Sequence, residues 1–332
     1  MNALNLLLKA LDGQRSVRAT LLQRRADGGA PISVTVQIDP QKGIRATITR
    51  PFVYAGAISF DNGTEWRNYD PHDNVLRIER SPYTFRIDPV FRARLIEKNF
   101  EVTFEKDTDV AGRNAKIVYM KGLDPEVSDF RLAIDAANYL ILRYEVVQPD
   151  GKKLTMVETT QVQVGVPPIG NSIENIAPDD AQIKREWGPV QIASPGQAQL
   201  FAGFTPVLPK QFPAGLALQA IHIMGDSAKK FVAVRLSDGM SVATVYLWAR
   251  MDEDDEPFSG EADGTSLSGI KVRVLGEVSA ATKRRLANDF LSLNEHNLGP
   301  LEQHQTSYTF ILNRPQAWGE PLLTGLYFGR NQ

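Results

Sequence analysis

The sequence predicts an α+β protein that is mainly β: a curved antiparallel half-barrel plugged by helices, followed by a small antiparallel sheet with one helix. Three observations carry this expectation. Apolar and polar residues alternate with period two through most of the first half. Glycine-containing turn sequences recur between the alternating runs. A proline-rich stretch then separates this half from a second alternating region, and 332 residues are more than one core usually holds.

Leu4, Leu7, Leu8 and Leu11 recur at helical spacing before Asp12-Gly13, which predicts a short amphipathic helix over 2–11, lying on a sheet. From Ser16 the period changes to two. Val17, Ala19 and Leu21, then Ile32, Val34, Val36 and Ile38, then Ile44, Ala46 and Ile48 share one face, with Arg18, Thr20, Ser33, Thr35, Arg45 and Thr47 on the other. Turns at Asp27-Gly28-Gly29 and from Asp39 to Gly43 join these strands as a meander with one covered face.

The stretch Ala57 to Pro71 reads as a hairpin closed at Asp61-Asn62-Gly63. A three-residue loop pairs Phe60 with Thr64 and Ile58 with Trp66, which collects Ile58, Phe60 and Trp66 on one face. A two-residue Asn62-Gly63 loop mixes the faces, and register follows the buried face. The three-residue loop is therefore expected, with Trp66 beside Ile58 on the concave side and Arg67 and Tyr69 facing away. A strand follows over 74–79, and Asp88-Pro89 starts a helix that runs to Lys98. Further strands are expected over 100–105, 115–120, 129–134, 139–147 and 153–164. About ten antiparallel strands with one buried face must curl to bury it.

Pro167, Pro168, Pro178, Pro189 and Pro195 interrupt the pattern over 166–196, which reads as a linker with a short helix around 178–187. Strands are then expected over 216–224, 230–236, 240–249 and 270–274, with Ser279 capping a helix from Ala280 to about Leu293. Ser237-Asp238-Gly239 repeats the hairpin device, pairing Leu236 with Met240 and Val234 with Val242 on the same argument. The tail after Arg314 keeps Trp318, Leu322, Leu323, Leu326, Tyr327 and Phe328 and is too apolar to be a solvated extension.

Chemical motifs are sparse. A formal charge of -2 and a pI near 6.1 argue against a nucleic-acid binder or a polybasic membrane anchor. The chain has no cysteine, which removes disulfides, thiolate metal sites and a cysteine nucleophile. Phosphate loop, dinucleotide fingerprint, GxSxG and HExxH motifs are all missing, and no cofactor is expected. His296 and His304 lack the spacing of a helical ligand pair, and Asp252 to Glu256 lacks the alternation of a calcium loop, so both read as surface features. The basic run Lys283, Arg284 and Arg285 is either an exposed helix face or a docking surface for an acidic partner segment. No apolar run is long enough to span a bilayer, and the N-terminus lacks a signal-peptide pattern, which leaves a cytoplasmic protein or one whose signal precedes Met1. The interior of the first half is either an ordinary packed core or a concave volume suited to acyl chains. Its candidate lining residues are Val34, Val36, Ile38, Ile58, Phe60, Trp66, Leu132, Leu142 and Tyr144.

The run Asp61-Asn62-Gly63-Thr64-Glu65-Trp66 through Tyr69-Asp70-Pro71, preceded by a helix and hairpins, resembles the corresponding segment of the LolA-like lipoprotein-carrier superfamily. The runs Gly203 to Pro209, Leu236 to Val242 and Ile270 to Val278 resemble the small C-terminal domain of RseB/MucB proteins, which combine both domains in this order. The resemblance implies a LolA-like lipid- or lipoprotein-binding domain over 1–165, a linker over 166–198, an RseB/MucB-like domain over 199–314 and an added tail over 315–332. It further implies a non-enzymatic periplasmic or extracytoplasmic protein, made with a signal that is removed. Its expected partners are an acyl lipid or lipoprotein and the extracytoplasmic part of an anti-sigma factor, which such proteins shield from proteolysis. A lipid or lipoprotein carrier without a regulatory partner is the alternative. The chain departs from the RseB/MucB pattern in lacking a Tyr-x-Gly-Thr strand start and in carrying the tail. Domain two is expected to grip the partner across a domain interface whose angle the linker limits without fixing it.

Overall fold

The computed structural model describes residues 1–11, 16–24, 30–51, 55–81, 88–148, 151–165, 173–185, 190–192, 194–225, 230–249, 263–266 and 269–294. The turn at Asp27-Gly28-Gly29, the acidic run Asp252 to Glu256, His296, His304 and the tail over 315–332 lie outside the described residues.

The leucine-rich N-terminus forms helix α1 (Ala3–Leu11), and its buried side is Ala3, Leu6, Leu7, Ala10 and Leu11. The alternating runs form β1 (Val17–Gln23), β2 (Ile32–Asp39), β3 (Gly43–Arg50), β4 (Ile58–Asp61), β5 (Glu65–Asp70) and β6 (Val75–Arg80). Helix α2 (Pro89–Asn99) starts where expected, with the Asp88 side chain accepting from the Phe91 N–H and proline in the first turn. Then come β7 (Phe100–Phe104), β8 (Thr108–Val110), β9 (Arg113–Gly122), β10 (Asp129–Asp135), β11 (Ile141–Val147) and β12 (Lys153–Val164). All of these strands belong to one sheet, in the order β6-β5-β4-β3-β2-β1-β12-β11-β10-β9-β7, with β8 also on β9. The join at its middle is long in sequence, since β1 pairs with β12 from Val17 opposite Val164 to Gln23 opposite Val157.

One face of this sheet carries Val17, Ala19, Leu21, Val34, Val36, Ile44, Ile48, Val118, Met120, Phe130, Leu132, Tyr144 and Val157, packed with α1 and with Ile96 of α2. Apolar alternation with a helix laid across it is the arrangement the sequence predicts, and this face is the concave one.

The linker reading needs correction in its local structure. The residues expected to be helical around Pro178 include β13 (Gln182–Arg185), which pairs in parallel with β6 at the sheet edge. An edge strand presents unpaired backbone groups, and the Gln182 N–H donates to Asn74 O there. Ahead of it, Ile173 and Ile176 cover Phe60 on the outer face, and Arg45 donates to the Asn175 carbonyl at 3.2 Å. Residues 173–185 therefore form a strap across β4, β5 and β6.

The second sheet has the order β14 (Val190–Ile192), β15 (Ala217–Gly225), β16 (Lys230–Ser237), β17 (Val242–Ala249), β19 (Ile270–Gly276) and β18 (Gly264–Thr265). Helices α3 (Pro195–Ala202) and α4 (Ala280–Leu293) both pack on one face of it, α4 through Leu286, Ala287 and Phe290 and α3 through Ala198. Ser279 caps α4 by accepting from the Thr282 N–H, as the sequence predicts.

Both hairpin registers differ from the expected ones, and in the same way. In the first, Asp61 lies opposite Trp66, Phe60 opposite Arg67 and Ile58 opposite Tyr69. In the second, Ser237 lies opposite Val242, Leu236 opposite Ala243 and Val234 opposite Val245. In each case the tip lies further along the chain than expected, at Gly63-Thr64 and Gly239-Met240, and an Asx side chain closes the loop. Asn62 Oδ1 accepts from the N–H groups of Thr64 and Glu65, and Asp238 Oδ1 accepts from Met240 and Ser241. Gly63 and Gly239 follow with φ of 86° and 105°, a left-handed conformation at the first tip position.

Candidate functional site

The shifted register divides the proposed cavity residues between two faces. Residues directly opposite each other on paired strands share a face. Asp61 lies opposite both Ile44 and Trp66, so Trp66 points to the concave side. Phe60 lies opposite Arg45 and Arg67, and Ile58 opposite Thr47 and Tyr69. Ile58 and Phe60 are thus on the outer face, beside Arg67 and Tyr69 and under the strap. The expectation that Ile58, Phe60 and Trp66 sit together fails because an odd register shift exchanges the faces of one strand.

Leu142 also changes sides. The partner of β10 jumps from Arg143 to Ile141 between Ala133 and Ile134, which leaves Leu142 as the extra residue of a bulge. It packs with Val110, Ala115, Ile117 and Ala133 on the outer face. Val34, Val36, Leu132 and Tyr144 remain in the concave cluster, with Ile38 packed against it. They share that cluster with α1, and Phe130 stands between Phe100 and Tyr144 with ring centroids at 5.7 and 5.8 Å. Along this stretch the concave face is a filled core. Beside it, Met1, Asn5, Leu8 and Lys9 on the outer side of α1 line an open recess of about 550 Å³, with the Lys9 ammonium 5.3 Å from the Tyr139 ring centroid.

The second constellation joins the two sheets, and sequence reading did not find it. Asn99, the last residue of α2, is buried, and its side-chain amide donates to Gly215 O at 3.0 Å and to Asp238 O at 2.9 Å. A Cβ on Gly239 would lie 2.9 Å from Ile96 Cγ1 and 3.2 Å from Leu95 Cβ, so the tip of the β16–β17 hairpin is pressed against α2. Ala214 and Met240, from the C-terminal half, belong to the concave cluster of the first sheet. Arg285 reaches Glu126 at 3.6 Å across the same junction. A proline-rich linker suggests a loosely held angle, but here a polar bond pair and a shared apolar core hold the domains together. The signal was present in the Ser237-Asp238-Gly239 turn, yet nothing in the sequence pairs it with Asn99.

Burial dominates the electrostatics of this junction. It lifts the Asp238 carboxyl to about 6 from 3.8, although N–H bonds from Met240 and Ser241 oppose the shift. Burial likewise pushes the Tyr144 hydroxyl well above the ordinary tyrosine range, with smaller contributions from Glu277 and Asp238. The folded state holds the Asp238 proton more tightly than the unfolded chain does. Its contribution is therefore fully present below pH 3.8 and is lost as pH rises through about 6, a change of about 3 kcal/mol. Asp238→Asn keeps the acceptor oxygen and should flatten this slope, which urea midpoints between pH 4 and 7 would measure; an unchanged slope would place the titration elsewhere.

Lys283, Arg284 and Arg285 lie on α4, with Thr282, Leu286 and Ala287 buried beneath them. Arg284 and Arg285 are exposed and Lys283 half-buried, so the basic run is a surface feature with one member engaged by Glu126. Among the described residues no group of three His, Asp or Glu side chains is placed to hold a metal ion.

The family model of the MucB/RseB N-terminal domain matches residues 60–186, from the first hairpin through the strap. Over these residues the chain is similar to the MucB/RseB N-terminal domain. The likeness in fold extends well beyond the matched span. The crystal structure of MucB superposes with a TM-score of 0.58 at 18% identity, covering 86% of this chain and 94% of that one. The complex structure of Pseudomonas aeruginosa MucA/MucB gives a TM-score of 0.60 at 18% identity, over 86% and 95%. MucB in complex with MucA(peri) gives 0.52 at 17% identity, over 86% and 95%. No curated protein sequence matches significantly. The protein is thus MucB/RseB-like, with a curved sheet and a smaller sheet-and-helix unit arranged as in MucB.

Proposed function

We propose that this protein is a non-enzymatic regulator outside the cytoplasmic membrane that binds the extracytoplasmic part of an anti-sigma factor. The observation that carries the reading is the shared two-unit fold with MucB, which has been seen in complex with MucA, together with the similarity to the MucB/RseB domain over 60–186. The protein's two working parts are centred on the expected 1–165 and 199–314, with the strap over 173–185 added to the first sheet and β14 and α3 to the second, and with the basic helix α4 facing the partner. In the same reading, an acyl lipid or lipoprotein binds the first domain and changes partner affinity through its preference for one domain arrangement.

The test uses Lys283→Glu and Arg284→Glu together, and separately all three changes with Arg285→Glu, measuring affinity for an anti-sigma ectodomain at two ionic strengths. Exposed charges steer and register partners with modest energies, so roughly a tenfold loss at low salt is expected, shrinking at high salt. The triple variant also sets a glutamate against Glu126 and should lose more. Unchanged low-salt affinity would remove α4 from the interface.

A carrier without a regulatory partner is the second reading, and the recess beside α1 favours it, because Leu8 and Met1 offer apolar surface and Lys9 a cation. Co-purified acyl ligands detected by native mass spectrometry, with no anti-sigma binding, would support it.

A further inference from the structure

Strand β13 ends the first sheet and leaves one side open. It pairs with β6, and among the described residues no strand lies along its other side. All four of its residues are exposed, Ile183 at 60% and the Arg185 side chain at 72%. The Gln182 N–H donates to Asn74 O, and in a parallel pair every second residue gives both its N–H and its C=O to the neighbouring strand. Gln182 and Lys184 are therefore tied to β6, while Ile183 and Arg185 turn their N–H and C=O outward.

Edge strands are commonly protected by charge, but the charges here repel one kind of neighbour and attract another. Asp179 and Asp180 stand on a turn closed by the Ala181 N–H on Pro178 O, immediately before the strand, and Lys184 and Arg185 end it; all four are exposed. None of them is engaged in a close ion pair among the described residues. Glu65 lies 4.0 Å from Arg185 but binds Arg67 at 2.7 Å, and the Asp180 carboxylate meets the Asn74 amide at 3.5 Å. The run from Asp179 to Arg185 is thus negative at one end, positive at the other and uncharged between. A second such run laid parallel would set like charges together, whereas an antiparallel one sets opposite charges together. A segment complementary to its own reverse is what a two-fold contact between identical chains requires.

We propose that two copies of this chain associate through β13, antiparallel about a two-fold axis at Ile183, so that their first sheets join into one. The outward N–H and C=O of Ile183 in each copy then meet those of the other. The two Ile183 side chains lie opposite each other and continue the outer-face row of Ile58, Tyr69 and Leu76 across the seam. Arg185 falls opposite Ala181 of the second copy, beside its Asp179 and Asp180, and the symmetry repeats the contact at the other end. A foreign strand carrying one sign of charge would satisfy only one end of β13, and a second copy satisfies both.

Sedimentation velocity on the full-length chain tests the proposal. The contact is small, so the dimer should appear only toward about 100 μM. Lys184→Glu with Arg185→Glu makes the run acidic throughout, and Asp179→Lys with Asp180→Lys makes it basic throughout. Each variant alone should dimerise at least about tenfold more weakly than the unaltered chain, and an equimolar mixture of the two should dimerise at least as well as it. Ile183→Pro removes an outward N–H without touching a bond to β6 and should be monomeric as well. An unaltered chain that stays monomeric up to about 1 mM, charge variants that dimerise undiminished, or folded variants whose mixture does not associate would overturn the proposal. Should a variant fail to fold, hydrogen exchange on the unaltered chain decides: the Ile183 and Arg185 amides should slow as concentration rises through the dimer range, and unchanged exchange there would count against β13.

Discussion

Gly239→Val should unlatch the two domains. The position has a φ of 105°, which a β-branched residue resists. The new side chain would also enter a space in which even Cβ lies 2.9 Å from Ile96 Cγ1 and 3.1 Å from the Ile96 backbone nitrogen. The helix backbone cannot yield there alone, so the strain should be relieved by parting α2 from the hairpin tip. Overpacking and backbone strain together amount to about 2–5 kcal/mol. Urea unfolding should change from one transition to two, with the separated domains melting at different concentrations. Gly63→Val brings comparable backbone strain outside the junction and should leave a single transition. If Gly239→Val also unfolds in one step at the original midpoint, the hairpin tip does not couple the domains.

Phe130→Ala should be among the most damaging changes in the first domain. The ring is 1% exposed, between Phe100 and Tyr144 and opposite Met120 on β9. Removing an aromatic ring from a filled core costs about 3–5 kcal/mol, part transfer and part residual cavity. The size of the loss also separates the two readings of the concave face. A packed core gives the full loss in the denaturation midpoint, whereas a site already open beside the ring gives a smaller one, because the cavity part is then reduced.

The elements of the fold were largely legible in the sequence, and their pairings were less so. Period-two alternation marks β1 to β3 because one face is buried throughout, and the leucines of α1 keep helical spacing for the same reason. Asp88-Pro89 and Ser279 mark helix starts because capping is local chemistry. Register is not local in that sense. Choosing the loop that gathered Ile58, Phe60 and Trp66 assumed one buried face, but this hairpin has cover on both sides: the strap places Ile173 and Ile176 over Phe60. The assumption fails at Leu142 for a related reason, because a bulge gives it to an outer cluster. β13 was unreadable because its burial is slight, and its pairing depends on an edge that the rest of the sheet provides. Of the candidate site, the basic run on α4 was visible in sequence. The contacts of Asn99 were not, since they join positions 116 and 139 residues away.

The join between β1 and β12 bears on how the chain acquires this fold. β1 is synthesised well before its second neighbour, which comes from the far end of the domain: Arg18 and Gln163, bonded across the seam, are 145 residues apart. At about 5–20 residues per second, translation alone leaves that edge without its partner for roughly 7–30 s. Through that interval β1, β2 and β3 can form a meander, but its apolar face and open edge are templates for association with other chains. The last strand to arrive closes the sheet from the inside rather than extending it at a margin. The vulnerable species in the life of this protein is therefore its own N-terminal half awaiting β12.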